Sequence, residues 1–254
     1  MKVSPLSLGT INSLLPNLRE TFWVFDWDGT LIDIAPTPDS IIVPPEVLQH
    51  LGILQKHCRR VAIISGRALH DLEQRIPLPE LSLIGNHGAE WRIDHQHGTW
   101  KLSDSEKREL KGATATLFNL AEQFPASTLE NKEWTVSFHV RNLAPPEKEQ
   151  VQLAISHEMQ QFPHLEIRPA NACWEVRPLG TPNKGDALKR LIDAEVTPLV
   201  FGDDWTDEDM FFASPKNAIT VVVGKRRPTH ARYSLSSPEE LRALLAHITN
   251  NLLS

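Results

Sequence analysis

Cysteine is nearly absent: the 254 residues include two, Cys58 and Cys173, far apart and in no metal or redox spacing. That excludes a disulfide framework and a cysteine-built zinc site, and two free thiols point to a reducing, cytoplasmic compartment. Positive charge is also short. With 26 Lys and Arg against 32 Asp and Glu the net charge is −6. No basic stripe exists to hold a phosphate backbone, so nucleic acid is not an expected partner. The one short basic run, KRR at 225–227, reads as a solvated loop. No apolar run approaches the roughly twenty residues a membrane-spanning helix needs. The N-terminal stretch, with a single Lys and broken by Pro5 and Pro16, lacks the continuous apolar core of a secretory signal. Internal repeats and low-complexity tracts are missing too. The length suits one large domain or two small ones with ample core.

What the chain does have is a series of short apolar runs: TFWVF at 21–25, VAIIS at 61–65, LSLIG at 81–85, TPLVFG at 197–202 and AITVVVG at 218–224. Between them lie stretches at helical spacing, such as 44–58 and 183–195. Uninterrupted runs suit strands buried on both faces, and the alternation predicts a parallel sheet with helices on either side. From about residue 100 the rhythm changes. A helix is expected from Asp104 to Phe124, then strands STLEN and WTVSFHV around a KE turn. A second helix from Pro145 follows, then strands LEIRP and ACWEVRP around residues 170–171. Helix, hairpin, helix, hairpin is an α+β unit. The expected organisation is a discontinuous α/β core over 1–99 and 175–254 with an inserted α+β cap at 100–174.

The chemistry concentrates where the core strands end. After TFWVF come Asp26 and Asp28, one residue apart, then Gly29. In an extended segment residues i and i+2 share a face, so both carboxylates can address one centre: one can attack and the other shuttle a proton. Two acids this close repel each other unless a cation is present, which predicts a hard metal with oxygen ligands. Taken alone, D-x-D-G is equally a turn or a helix cap. Four further strand ends change that. ISGR at 64–67 offers Ser65 to a phosphate oxygen, at the start of a helix whose first N–H groups favour an anion. GNHGAE at 85–90 places Asn86 and His87 between glycines. Lys184 opens a helix, a position that suits a cation only if it faces an anion. GDDWTDED at 202–209 puts five acids within seven residues, with Asp203 as a direct Mg²⁺ ligand and Asp204 and Asp207 holding its waters or Lys184. A carboxylate nucleophile, an acid/base partner, Mg²⁺, Lys and Ser together make a phosphoryl-transfer site.

In order and in strand-end placement, DWDGT, Ser65, Lys184 and GDDWTDE resemble the four motifs of the haloacid dehalogenase-like phosphohydrolases. GNHGAE, LENKEWTVSFHVR, WEVRPLGTPNKGDAL, GDDWTDEDMF and ARYSLSSPEEL narrow the resemblance to trehalose-6-phosphate phosphatases, over nearly the whole chain from Phe22. The resemblance implies a Rossmann-like core with a cap, and hydrolysis of trehalose 6-phosphate through an aspartyl-phosphate on Asp26. It implies that Asp28 is the acid and then the base while lending its backbone carbonyl to Mg²⁺, with Asp26 and Asp203 as side-chain ligands. Substrate contacts are expected from Arg67, Asn86 and His87 in the core and from Glu130, Lys132, His139, Arg141, Glu175 and Arg177 in the cap. A trehalose-6-phosphate synthase is the implied protein partner. Independently, Ser137, His139 and Arg141 alternate along one strand, as do Glu175 and Arg177, so each set lines one face. The motifs depart from the family's usual residues at Asn86, Val140 and 171–173. Phosphatases for sucrose 6-phosphate or a mannosyl phosphoglycerate, and a catalytically silent sugar-phosphate-binding protein, are the competing readings.

Overall fold

The computed structural model describes residues 3–14, 18–37, 40–170, 172–192, 196–224 and 228–253; the KRR run and Asn171 lie outside them. The chain divides into two compact units, residues 1–99 with 182–254, and residues 100–181. In chain order the strands are β1 Ser4–Pro5, β2 Thr21–Phe25, β3 Arg60–Ile64, β4 Ser82–Gly85, β5 Glu90–Ile93, β6 Gln96–Thr99, β7 Thr128–Asn131, β8 Val136–His139, β9 Leu165–Ala170, β10 Cys173–Pro178, β11 Thr197–Gly202, β12 Ile219–Val223 and β13 Tyr233–Leu235. The helices are α1 Leu8–Leu14, α2 Pro45–His57, α3 Leu69–Arg75, α4 Asp104–Glu122, α5 Pro145–Glu158, α6 Lys184–Leu191, α7 Glu208–Ala213 and α8 Pro238–Leu253.

The first unit is built on a nine-stranded sheet of order β1-β13-β12-β11-β2-β3-β4-β5-β6, parallel from β1 to β4 and closed by two antiparallel pairings. All five residues of β2 are buried, so its side chains serve two cores. Trp23 and Phe25 join Val61, Ile63 and Phe201 on the face packed by α2, α3 and α8. Phe22 and Val24 join Ala62, Ile64 and Val200 on the face packed by α6 and α7. Trp23 and Phe201 stack at 5.8 Å, Phe25 and Phe201 at 5.0 Å, and each such ring contributes on the order of 2 kcal/mol on burial. From β2 the chain runs one way to β3 and β4, then returns to lay β11 on the other side. The crevice between β2 and β11 is therefore the switch point where open α/β sheets bind ligands.

The expected core strands are present with ends moved by a residue or so. The β5–β6 hairpin, β1, β13 and α8 lie outside the expected set. One local expectation is corrected: α3 starts at Leu69 rather than directly after Ser65, and its first N–H is taken by Glu90 Oε2 at 3.1 Å. Among the described residues no helix is long and apolar enough to cross a membrane.

The second unit is a four-stranded sheet of order β7-β8-β10-β9, antiparallel throughout, with α4 and α5. The N-terminus of α4 is closed by a capping box between Ser103 and Glu106, and α5 opens on Pro145, whose missing N–H costs nothing there. Val136, Phe138, Val140 and Val176 meet Leu110, Leu117, Val151 and Ile155 in one core. The departure at Val140 thus falls on the packed face. Strand β10 pairs over its full length with β9, so the division between the units comes at Thr181/Pro182 and not between Trp174 and Glu175, which would cut the strand.

Neither cysteine is in a disulfide, and both are half-buried. Burial pushes the Cys58 thiol up to about 11, against a smaller pull from hydrogen bonds with Thr21 and Trp23. At pH 8 only about one in a thousand Cys58 thiols is ionised. Iodoacetamide should therefore label Cys58 slowly at pH 8, with a rate that keeps climbing tenfold per pH unit to about pH 10, as followed by peptide mass spectrometry.

Candidate active site

Asp26 is the first residue after β2, its N–H bound to Phe201 O at 2.9 Å, which fixes it over the β2/β11 crevice. Its side chain is almost fully buried. Oδ1 accepts from Lys184 Nζ at 2.6 Å and Oδ2 from Thr30 Oγ1 at 3.2 Å. Asp203 follows β11 and accepts from the same Thr30 hydroxyl at 3.3 Å. Burial raises the Asp26 carboxyl above its ordinary value in spite of Lys184, with Asp207 and Asp28 adding repulsion. Burial raises Asp203 as well, followed by the charges of Asp26 and Asp207.

Lys184 begins α6, whose cap is a reciprocal box between Asn183 and Asp186. Its Nζ lies 2.6 Å from Asp26 and 2.7 Å from Asp207 Oδ1. Burial alone would depress this ammonium, but Asp207 and Asp26 outweigh it and hold it above its ordinary value. Asp207 is fully buried, and its Oδ2 accepts from the N–H groups of Asp203 and Asp204, both at 2.9 Å. It thereby shapes the acidic loop around Lys184. Asp204 caps the turn through the Trp205 N–H.

One oxygen each from Asp26, Asp203 and Asp207 lies within 4.8 Å of the others. An all-carboxylate set of mutually repelling oxygens, two of them on buried residues, suits a hard divalent cation. Of the three, Asp207 is engaged by Lys184 through Oδ1 and by two loop N–H groups through Oδ2. Gly29 makes the approach of Asp203 possible. It sits at φ +87°, and a Cβ there would fall 2.2 Å from Asp203 Oδ2. Gly29→Ala should cost about 1–3 kcal/mol and displace Asp203, measured as a lowered unfolding midpoint and a weakened response to added divalent cation in calorimetry.

Ser65, buried at the end of β3, accepts from Arg67 N at 3.2 Å. Its carbonyl takes the His87 N–H at 2.9 Å, and the Asn86 N–H meets Arg67 O at 2.7 Å. Asn86 and His87 both have left-handed backbone, φ 45° and 56°, and Asn86 Nδ2 donates to Glu90. These bonds lace the GNHG loop to the SGR loop. The Arg67 guanidinium grips Asp28 at 2.7 and 2.9 Å and Asp71 at 2.7 Å. Thr30 and Glu90 stand inside the DWDGT and GNHGAE stretches without an expected role of their own, and Asp71 lies outside the motifs, four residues from Arg67.

In the second unit Glu130 meets His139 at 3.0 Å and Lys132 at 3.5 Å. Burial opposes its ionisation, but His139 and Lys132 outweigh that and hold it below the usual carboxylate range. Glu175 is buried and stands opposite Ser137 on β8. Arg177, equally buried, donates to Glu166 at 2.8 Å. Arg141 lies past the end of β8 and is exposed.

A family model described as trehalose-phosphatase matches residues 24–239. A trehalose-phosphate phosphatase of Mycobacterium tuberculosis is 32% identical over 260 residues, 97% of this chain and 64% of that protein; the chain thus spans just under two thirds of that relative's length. The trehalose-6-phosphate phosphatase of Escherichia coli is 30% identical over 237 residues, 91% of this chain and 87% of the other. Among solved structures, the C-terminal domain of Candida albicans trehalose-6-phosphate phosphatase superposes with a TM-score of 0.85, covering 98% of each chain at 22% identity. At that identity the likeness is one of fold.

Proposed function

The chain belongs to the trehalose-phosphatase family, and we propose that it hydrolyses trehalose 6-phosphate to trehalose and inorganic phosphate with Mg²⁺ bound. The observation that carries this reading is Asp26, buried at the switch point and held at 2.6 Å by a Lys184 that is itself locked on Asp207. In the proposed reaction Asp26 attacks phosphorus and the bond between phosphorus and the sugar oxygen breaks. Asp28 delivers a proton to the departing sugar oxygen, leaving an aspartyl-phosphate. Asp28, now ionised, takes a proton from the water that attacks this ester, and phosphate leaves with Asp26 regenerated. Ser65 donates to a phosphoryl oxygen, and Lys184 holds positive charge beside the nucleophile throughout. A Mg²⁺ held by Asp26, Asp203 and the Asp28 carbonyl would supply further positive charge against the phosphoryl oxygens.

Glu130, Lys132, His139, Arg141, Glu175 and Arg177 of the second unit are assigned to the sugar, and Asn86 and His87 to shaping the phosphate end. The free thiols support a cytoplasmic setting, and a synthase that makes the phosphorylated disaccharide is the partner this activity requires. The test is phosphate release from trehalose 6-phosphate, glucose 6-phosphate and sucrose 6-phosphate, with Mg²⁺ and with EDTA. Turnover confined to the trehalose ester and abolished by EDTA is expected; equal turnover of all three would overturn the substrate, and EDTA resistance the metal.

A further inference from the structure

Three nitrogens of Arg67 donate to carboxylates on two sides. Nε and Nη2 form a fork on the two oxygens of Asp28, at 2.7 and 2.9 Å, and Nη1 meets Asp71 Oδ2 at 2.7 Å. Asp71 is bound in turn through Oδ1 to Arg75 Nε at 2.9 Å, four residues further along α3. The result is a ladder of alternating charge, Asp28, Arg67, Asp71, Arg75. The backbone of Arg67 is pinned as well, its N–H on Ser65 Oγ and its carbonyl on the Asn86 N–H. Its guanidinium therefore cannot swing without breaking contacts to the Asp28 loop and to α3.

We propose that Arg67, locked by Asp71, is the positioning residue for Asp28. The inference rests on the hydrolase reading above. General acid–base help is realised only when the group is held within hydrogen-bond reach of the proton it moves. The Asp28 side chain, on a loop next to a glycine, keeps about a third of its surface exposed, so burial does not fix its rotamer. A planar fork on both oxygens does, and sets the plane of the carboxylate besides. Asp71, occupying the remaining arm, stops the fork from rotating. An Arg that binds substrate phosphate instead would give different kinetics: its loss would raise KM for every phosphate ester alike.

The test compares kcat/KM for trehalose 6-phosphate, whose sugar leaving group needs a proton, with that for p-nitrophenyl phosphate, whose leaving group does not. For Arg67→Met the expected loss is roughly 30- to 100-fold on the sugar ester and under about threefold on the aryl ester, with KM little changed. Arg67→Lys, which cannot form the fork, should stay near the Met variant. Asp71→Asn, partly exposed and away from the reacting atoms, should fold normally and lose about 3- to 10-fold on the sugar ester alone. In an Asp28→Asn background, adding Arg67→Met should cost less than about twofold. Equal losses on both esters, or losses that multiply in the double variant, would overturn the proposal. Should wild-type enzyme cleave the aryl ester and leave trehalose 6-phosphate untouched, the substrate assignment fails. The same double-variant comparison on kcat for the aryl ester, where Asp28 still serves as base toward water, then decides the positioning role.

Discussion

Asp26→Asn is expected to lower phosphate release by on the order of 10⁴-fold or more while leaving the fold intact. The amide keeps the shape of the carboxylate but removes the nucleophile. Its structural consequences are unusual for a buried charge, because Lys184 keeps Asp207 at 2.7 Å and the cluster loses one of three acids confined within 4.8 Å. The metal-free variant should therefore be as stable as the parent or more so. The sign of the pH dependence follows from burial. With Asp26 raised from 3.8 to about 7, the folded state holds this proton more tightly than the unfolded chain does. Its contribution to stability consequently falls as pH rises through that window. The Asn variant lacks this fall, so its advantage in unfolding midpoint should grow from about pH 4 to pH 7 in EDTA. A variant that still turns over at a tenth of the parental rate would remove Asp26 as nucleophile; a midpoint deficit that grows with pH would refute the account of the cluster.

How far the site can be read from the sequence depends on how local each determinant is. Asp26, Ser65, Lys184 and Asp203 are legible because each ends an apolar run or opens a helix, and parallel strand ends are gathered along one sheet edge by topology. The fold class is legible for the same reason: TFWVF and TPLVFG read as strands buried on both faces, and the structure buries all of the first and all but Thr197 of the second. The β5–β6 hairpin is not, since Gln96–Thr99 is a largely exposed edge strand of polar residues and glycine, with no apolar period to read. The start of α3 is missed because Glu90, twenty-one residues away, supplies the carboxylate that caps it. The Arg67 fork is missed for a related reason. Arg67 and Asp28 are thirty-nine residues apart, and nothing in the local pattern separates an Arg that faces phosphate from one that faces a carboxylate. Arg141 shows the converse failure: alternation places it with Ser137 and His139, but β8 stops at His139 and the chain turns before the alternation reaches it.

Lys184→Met should combine the largest loss of stability with a loss of activity on the order of 10³-fold. The ammonium is nearly sealed from solvent and is shared by Asp26 and Asp207. Truncating it leaves two buried carboxylates facing each other and Asp203 without a cation. Breaking a buried pair in this way costs about 3–5 kcal/mol, or on the order of 10 °C in unfolding midpoint for a chain of this size. Because the folded-state value of Lys184 is raised above 10.5, this stabilisation is fully present at neutral pH. It is lost only as pH climbs through that raised value, so the parent–variant gap should be flat between pH 6 and 9 as far as Lys184 itself is concerned. Lys184→Arg should rescue little, since a planar guanidinium cannot place one donor at 2.6 Å from Asp26 and 2.7 Å from Asp207 in the space a single Nζ occupies. Mg²⁺ should raise the midpoint of the Met variant more than that of the parent, because a cation beside Asp26 and Asp203 offsets part of the missing charge. Thermal unfolding of the two proteins across a Mg²⁺ titration measures this directly. Equal shifts would mean that the acids of the β2/β11 crevice do not share one electrostatic site, and the assignment of Asp203 as the metal's partner to Asp26 would fall with it.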